Sequence, residues 1–282
     1  MFRQITIIGP GLLGASLAMA IRRHKLATKI VIWARSHSSR EKCQNQEWCD
    51  VVFESLEKAV ADSDLVLLCT PVHIILSLLE EIKPALKPNA LVSDVGSTKT
   101  LICEKAQTLF KDTSATFIGS HPMAGSEQSG MENAHADLFQ GAACLLTPMA
   151  DTPAKPIQLL NEFWESLKMN VEIVAPQTHD SIVAHVSHLP HLLASTLCSY
   201  LAKKDPTWQT LSGGGLRDTT RIAAGDPELW RQILEQNRTE VLRAITGFEQ
   251  QLSELKTALS ESNAEEIHAQ LEQGKRYRDQ LK

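Results

Sequence analysis

Short β-branched runs alternate with longer amphipathic stretches through the first half of the chain. Residues 5–8, Ile-Thr-Ile-Ile, form an apolar run closed by Gly9, the pattern of a buried strand. Residues 12–25 follow with helical spacing, and Arg22, Arg23, His24 and Lys25 complement the helix dipole at its end. Further strands are predicted at 29–33, 51–53, 64–69, 90–94, 115–119 and 142–147, with helices near 56–61, 73–86 and 99–110. Strands alternating with helices of about 10–15 residues predict an open parallel sheet covered on both faces.

The pattern changes near residue 150. Asp151-Thr152-Pro153-Ala154-Lys155-Pro156 is turn-rich, and one more helix (157–167) and strand (171–174) follow it. From Pro176 onward there is no strand pattern. Long helices fit 179–203, 227–254 and 264–281, with Asp226-Pro227 reading as an N-cap and first-turn proline. Such helices in succession predict an all-α unit that buries itself against another surface, such as a twin subunit. The expected fold is α/β: a Rossmann-type doubly wound parallel sheet over residues 1–174, then an all-helical domain over 175–282.

Composition removes several alternatives. A net charge of −5 argues against a nucleic-acid partner. The six cysteines form no CxxC pair and several lie in apolar runs, which favours buried reduced thiols over a disulfide framework or a zinc site. Met1-Phe2-Arg3-Gln4 enters a strand directly, without a signal-peptide pattern, and no apolar stretch reaches the ~20 residues of a membrane helix. A cytoplasmic protein with no membrane partner is expected.

Gly9-Pro10-Gly11-Leu12-Leu13-Gly14 is a GxGxxG loop between a predicted strand and a predicted helix. Glycines also mark ordinary turns, but this spacing has a chemical reason. Gly9 permits a tight turn, Gly11 lets backbone approach a pyrophosphate, and Gly14 lets helix and strand pack closely. The N–H groups of the helix start, at Leu12 and Leu13, would face the pyrophosphate. At the end of the second strand an acidic residue would accept the ribose hydroxyls of NAD. Here Ala34 occupies that place and Arg35-Ser36 follows, which favours the 2′-phosphate of NADP, with NAD possible; alternatively Arg35 and Arg40 are plain surface cations. Thr70 and Pro71 close the next strand at the edge where ligands of such sheets sit. Ser97, after the strand ending at Asp94, could cap the following helix, reach a ligand, or do both.

His121 follows another predicted strand end and should project toward the nicotinamide, where it could take the proton of an alcohol undergoing hydride loss. A purely structural histidine is the alternative. His185, His188 and His191 cluster further on, but no cysteine or carboxylate pattern supports a metal site. Residues 213–223 read as a glycine-rich turn carrying Arg217 and Arg221, whose guanidinium could grip a carboxylate; helix capping with surface charge is the competing account.

Taken in order, the glycine loop at 9–14, DVGSTK at 94–99, SHPMAGSE at 120–127, HD at 179–180, SHLPH at 187–191 and GLRDTTRIA at 215–223 resemble the prephenate/arogenate dehydrogenase family of tyrosine biosynthesis. The resemblance spans nearly the whole chain. It implies an NAD(P)-dependent oxidative decarboxylation of prephenate or arogenate and a homodimer built through the helical domain. It assigns His121 to the ring hydroxyl, Ser97 to orienting that histidine or the hydroxyl, and Arg221 to a substrate carboxylate. His191 would line the pocket, Glu127 would stand at its mouth, and Asp180 would support it. Two other readings remain open on the residues alone: a dehydrogenase of β-hydroxyacids or imines, and a non-catalytic NADP sensor.

Overall fold

In a computed structural model that describes residues 2–125 and 130–281, the N-terminal half is a six-stranded parallel sheet and the C-terminal half is helical. The first half runs β1 (Phe2–Ile8), α1 (Leu12–Arg23), β2 (Ala27–Trp33), α2 (His37–Gln44), β3 (Val51–Phe53), α3 (Leu56–Val60), β4 (Leu65–Leu68), α4 (Val72–Ile82), β5 (Leu91–Asp94), α5 (Thr100–Phe110) and β6 (Thr116–Phe117). The strand order is β3-β2-β1-β4-β5-β6, all parallel, which reverses direction between β1 and β4. A dinucleotide belongs at that reversal.

Side-chain alternation along the strands feeds two cores. Ile5, Ile7, Leu65 and Leu67 pack with α1 on one face, while Ile8, Val66, Leu68 and Val92 pack with α4 and α5 on the other. A strand buried on both faces has to be apolar at nearly every position, hence the unbroken run at β4.

A second, three-stranded sheet follows: β7 (Gly119–Pro122), β8 (Ala143–Thr147) and β9 (Asn170–Ile173), with α6 (Ala154–Ser166) between the last two. β7 and β8 are antiparallel, β8 and β9 parallel. This corrects the expectation of one sheet. The run at 115–119 leaves the parallel sheet after Phe117, and from Gly119 its backbone pairs with β8 instead. His121 therefore lies inside a strand, opposite Leu145, rather than in a turn beyond one.

No strand follows Ile173 among the described residues. The helical half comprises α7 (Pro176–Val183), α8 (Leu189–Leu201), α9 (Gly214–Thr220), α10 (Pro227–Gln236), α11 (Arg238–Ser260) and α12 (Ala264–Gln280). The single helix expected over 179–203 is two helices joined by a π-helical turn at Ala184–His188, and that over 227–254 divides at Asn237. Asp226 does cap α10, accepting from the Glu228 N–H at 2.8 Å. Residues 214–220, expected as a turn, are helical despite their glycines, with α9 packed on α8. No described helix is long and apolar enough to cross a membrane.

Candidate active site

The glycine loop leaves space where a ligand would need it. Gly9 has φ +93°, a conformation glycine tolerates best, and a Cβ there would lie 2.7 Å from Thr70 Cγ2. A Cβ on Gly14 would stand 2.2 Å from the Gly9 carbonyl oxygen, so α1 could not lie this close to the turn with a larger residue. Gly11, by contrast, faces open space. Ala15 makes the first helical bond, to the Gly11 carbonyl, and no acidic residue occupies the first turn. The N–H groups of Leu12, Leu13 and Gly14 thus lack helical acceptors and sit at the positive end of α1. Thr70 Oγ1 is buried beside this turn with no partner among the described residues. Pro71 immediately precedes α4 at the same edge. These features fit a dinucleotide diphosphate.

At the end of β2, Ala34 is buried and Arg35 exposed. Arg40 is not a loose cation: it donates to the carbonyls of Ala34 and Arg35 at 3.1 and 2.8 Å and pairs with Glu54. Ser36 caps α2, accepting from the Ser39 N–H at 3.1 Å.

His121 belongs to a network that sequence reasoning reached only in part. Ser120, its neighbour on β7, is clamped to β5. Its N–H donates to Asp94 Oδ1 (3.3 Å), its hydroxyl to the Asp94 carbonyl (2.6 Å), and its carbonyl accepts from Lys99 Nζ (3.0 Å). Lys99 also pairs with Asp94, and both side chains are wholly buried. This clamp joins the two sheets and sets His121 beside the carboxyl end of β5. Ser97, half-buried, lies in the loop between Asp94 and α5. It does not cap α5: that helix begins after Lys99, and Asp180 of α7 caps it, accepting from the N–H groups of Lys99 (2.8 Å) and Thr100 (2.9 Å).

Asp180, expected to support the pocket, is held between α5 and His179. The residue is 4% exposed and its carboxylate oxygens are engaged by α5 and by His179 Nδ1 at 2.8 Å. His179 Nε2 in turn lies 2.9 Å from His121 Nδ1. His179, with Lys99 and Asp94, is the functional group that sequence reasoning passed over; the signal was a histidine inside the HD pair, read only for its aspartate.

On the helical side, Asn237 donates to the Asp180 carbonyl (2.7 Å) and approaches His188 Nδ1 (3.2 Å). His188 meets the Trp230 ring edge-on, and His191 stacks on its face with centroids 3.5 Å apart. Gly225 closes against this stack, where a Cβ would come 2.7 Å from Trp230 Nε1. Arg221, exposed, begins the short turn Arg221–Ala224 that leads into Gly225 and packs on α8. Contacts thus run unbroken from His121 through His179, Asp180, Asn237, His188 and Trp230 to His191 and the turn after Arg221. His185 stands apart, exposed and bonded to the Ser181 carbonyl. Glu127 lies outside the described residues.

Burial, followed by the neighbouring His179, Lys99 and His188, holds His121 well below the ordinary imidazole range. Burial also lowers His179 despite the opposing pull of Asp180, and brings His188 to about 4. For Asp180, burial pushes upward, but the bonds from His179, Thr100 and Lys99 outweigh it and keep the carboxyl below its usual value. The imidazoles are therefore neutral and the carboxylate charged near pH 7. Stability should follow. As pH falls from 6.5 toward 4 the unfolded chain binds protons that native His188 refuses, so stability is full above that window and declines through it. Urea unfolding at pH 5 should show a loss relative to pH 7.5 to which His188 alone contributes about 2 kcal/mol; an unchanged midpoint would contradict the burial of a neutral imidazole.

Residues 17–173 match the family model described as prephenate dehydrogenase, nucleotide-binding domain, and residues 175–273 the model described as prephenate dehydrogenase, dimerization domain. The chain belongs to the prephenate dehydrogenase family. It is an oxidoreductase of that family with a nicotinamide dinucleotide as cofactor. Prephenate dehydrogenase from A. aeolicus, in complex with hydroxyphenyl propionate and NAD+, superposes with a TM-score of 0.93 at 31% identity, covering 100% of this chain and 99% of that one. Arogenate dehydrogenase from Synechocystis superposes at 0.86 with 33% identity, over 98% and 99% of the two chains. Cyclohexadienyl dehydrogenase from Zymomonas mobilis is 31% identical over 285 aligned positions, 100% of this chain and 97% of the relative.

Proposed function

We propose that this prephenate dehydrogenase family member oxidatively decarboxylates prephenate or arogenate, with NADP preferred as hydride acceptor. The observation that carries this reading is the placement of neutral His121 on β7, clamped to the carboxyl edge of the dinucleotide-binding sheet and bonded to the helical half. Bound nicotinamide would supply the site that accepts the hydride.

The substrate is a cyclohexadienol whose hydroxyl-bearing carbon loses hydride, while the bond to its ring carboxylate breaks and that electron pair enters the ring. Carbon dioxide leaves and a phenol, or its tyrosine counterpart, remains; the hydroxyl proton stays with the product. Aromatisation drives the reaction, so the protein's task is alignment and control of one proton. His121 accepts a hydrogen bond from the hydroxyl as positive character grows on its carbon, which is why a neutral imidazole is needed. Ser97 orients the hydroxyl or the histidine from the loop after β5. His191, held flat by Trp230, lines the helical wall of the pocket.

Arg221 grips the side-chain carboxylate more than the departing ring carboxylate, because a strong clamp on the latter would oppose its loss. Arg221→Ala should therefore raise KM for the dienol roughly 10–100-fold, the worth of a charged hydrogen bond, with a smaller change in kcat. Unchanged substrate affinity would remove Arg221 from this role.

The absence of a carboxylate at Ala34 and the exposed Arg35 support the preference for NADP. A homodimer through residues 175–282 is supported by α11 and α12. No residue of α12 is buried in the single chain, and Leu252, Leu259, Leu271 and Tyr277 are all more than half exposed. One kinetic matrix tests the reading: prephenate and arogenate, each with NADP and NAD. Dinucleotide binding without turnover of either dienol would convert the protein to a sensor, and a clear preference for NAD would overturn the reading of Arg35.

A further inference from the structure

We propose that Asp180 and His179 act in series as positioning residues that fix the tautomer of His121, so that its Nε2 reaches the substrate hydroxyl without a proton.

The chain of reasoning starts at the anion. Asp180 Oδ2 accepts from the Thr100 N–H at 2.9 Å, and Oδ1 from the Lys99 N–H at 2.8 Å, so the start of α5 holds the group as a carboxylate. A carboxylate only accepts hydrogen bonds. His179 Nδ1, 2.8 Å from Oδ1, must therefore carry a hydrogen. His179 is buried and neutral, and a neutral imidazole carries a single N–H, so its Nε2 is a bare lone pair. That lone pair lies 2.9 Å from His121 Nδ1. Two lone pairs cannot face each other at this distance, so His121 Nδ1 holds the hydrogen. His121 is neutral too, which leaves its Nε2 as the acceptor.

An imidazole without this support can place its hydrogen on either nitrogen, and the form with Nε2–H would meet a hydroxyl donor with another donor. The cascade removes that form. The helix start that holds Asp180 belongs to the sheet half, whereas Asp180 and His179 belong to α7, so the tautomer is correct only where both halves are in place. Among the described residues, the charged and titratable groups about His121 are otherwise engaged: Lys99 is committed to Asp94 and to the Ser120 carbonyl, and His188 is turned to Asn237 and Trp230.

The inference rests on the proposed dienol oxidation for its purpose, but not for its geometry, and the test separates the two. Nitrogen-15 NMR of the imidazoles in the full-length protein near pH 7.5 should show His121 and His179 protonated at Nδ1 and bare at Nε2; a proton on His121 Nε2 overturns the proposal. Turnover provides the second arm. His179→Leu fills the buried space but offers no acceptor, and should lower kcat about 10²-fold or more, as loss of a correctly held base does, with little change in dinucleotide affinity. His179→Gln can present its carbonyl oxygen to His121 Nδ1 and should recover most of that loss. Equal activity of the two variants would mean that His179 only fills space, and the proposal fails. Absence of dienol turnover in the unmodified protein would instead remove the dehydrogenase reading, while the NMR result still decides the tautomer.

Discussion

His121→Asn is expected to lower kcat for dienol oxidation by about 10²–10⁴-fold, the contribution of a positioned base, and to leave dinucleotide binding nearly intact. The separation of effects follows from placement. His121 sits on β7 in the second sheet, whereas the glycine loop belongs to the turn between β1 and α1. Asparagine preserves a polar side chain at a half-buried strand position, so the fold should survive. Steady-state turnover, paired with a fluorescence titration of the reduced dinucleotide, measures both quantities on one preparation. Retained turnover would mean that another group receives the hydroxyl, and the role assigned to His121 would be lost.

Lys99→Met is expected to cost about 3–5 kcal/mol of stability, the usual consequence of stranding one member of a buried ion pair. Asp94 would keep its bonds from the Gly96 and Ser120 N–H groups, but its charge would lie in a wholly buried site without a cation. Adding Asp94→Asn removes that charge, and the double variant should recover part of the loss. Urea unfolding of the two single variants and the double variant gives the coupling directly. A loss below about 1 kcal/mol for Lys99→Met, within the range of an exposed pair, would show that the pair does not hold the junction. Because Lys99 also bonds the Ser120 carbonyl, the same variant should reduce turnover by loosening the strand that carries His121.

Much of the parallel sheet was legible because its signals are local. The apolar runs of β1 and β4, the glycine spacing and the basic end of α1 each depend on residues within one turn or strand. The second sheet was not, since nothing in the run 115–119 says that its backbone changes partner after Phe117, and strand pairing is set by distant residues. Helix α2 escaped notice because Cys43 is its one buried residue, leaving almost no apolar period to detect. Helix α9 was hidden by Gly213, Gly214 and Gly215; glycine's poor helix propensity is outweighed there by packing on α8.

The candidate site divides the same way. His121, Ser97, His191 and Arg221 stood out through motifs of contiguous residues. Lys99 and His179 did not, because their roles come from partners far away in the chain: His179 meets His121 across 58 residues, and Lys99 meets Ser120 across 21. A motif reader sees the lysine as one more helix-start cation. Only burial on every side reveals it as a junction.

α7 carries Asp180 and His179, whereas the helix start and the imidazole that they serve lie across the seam in the other half of the molecule. Any hinge that parted the halves along this seam would pull the two imidazoles from each other and leave the base unaligned until the seam resealed. Catalytic alignment is in this way tied to closure of the α5–α7 seam, so a molecule opened there would bind without reacting.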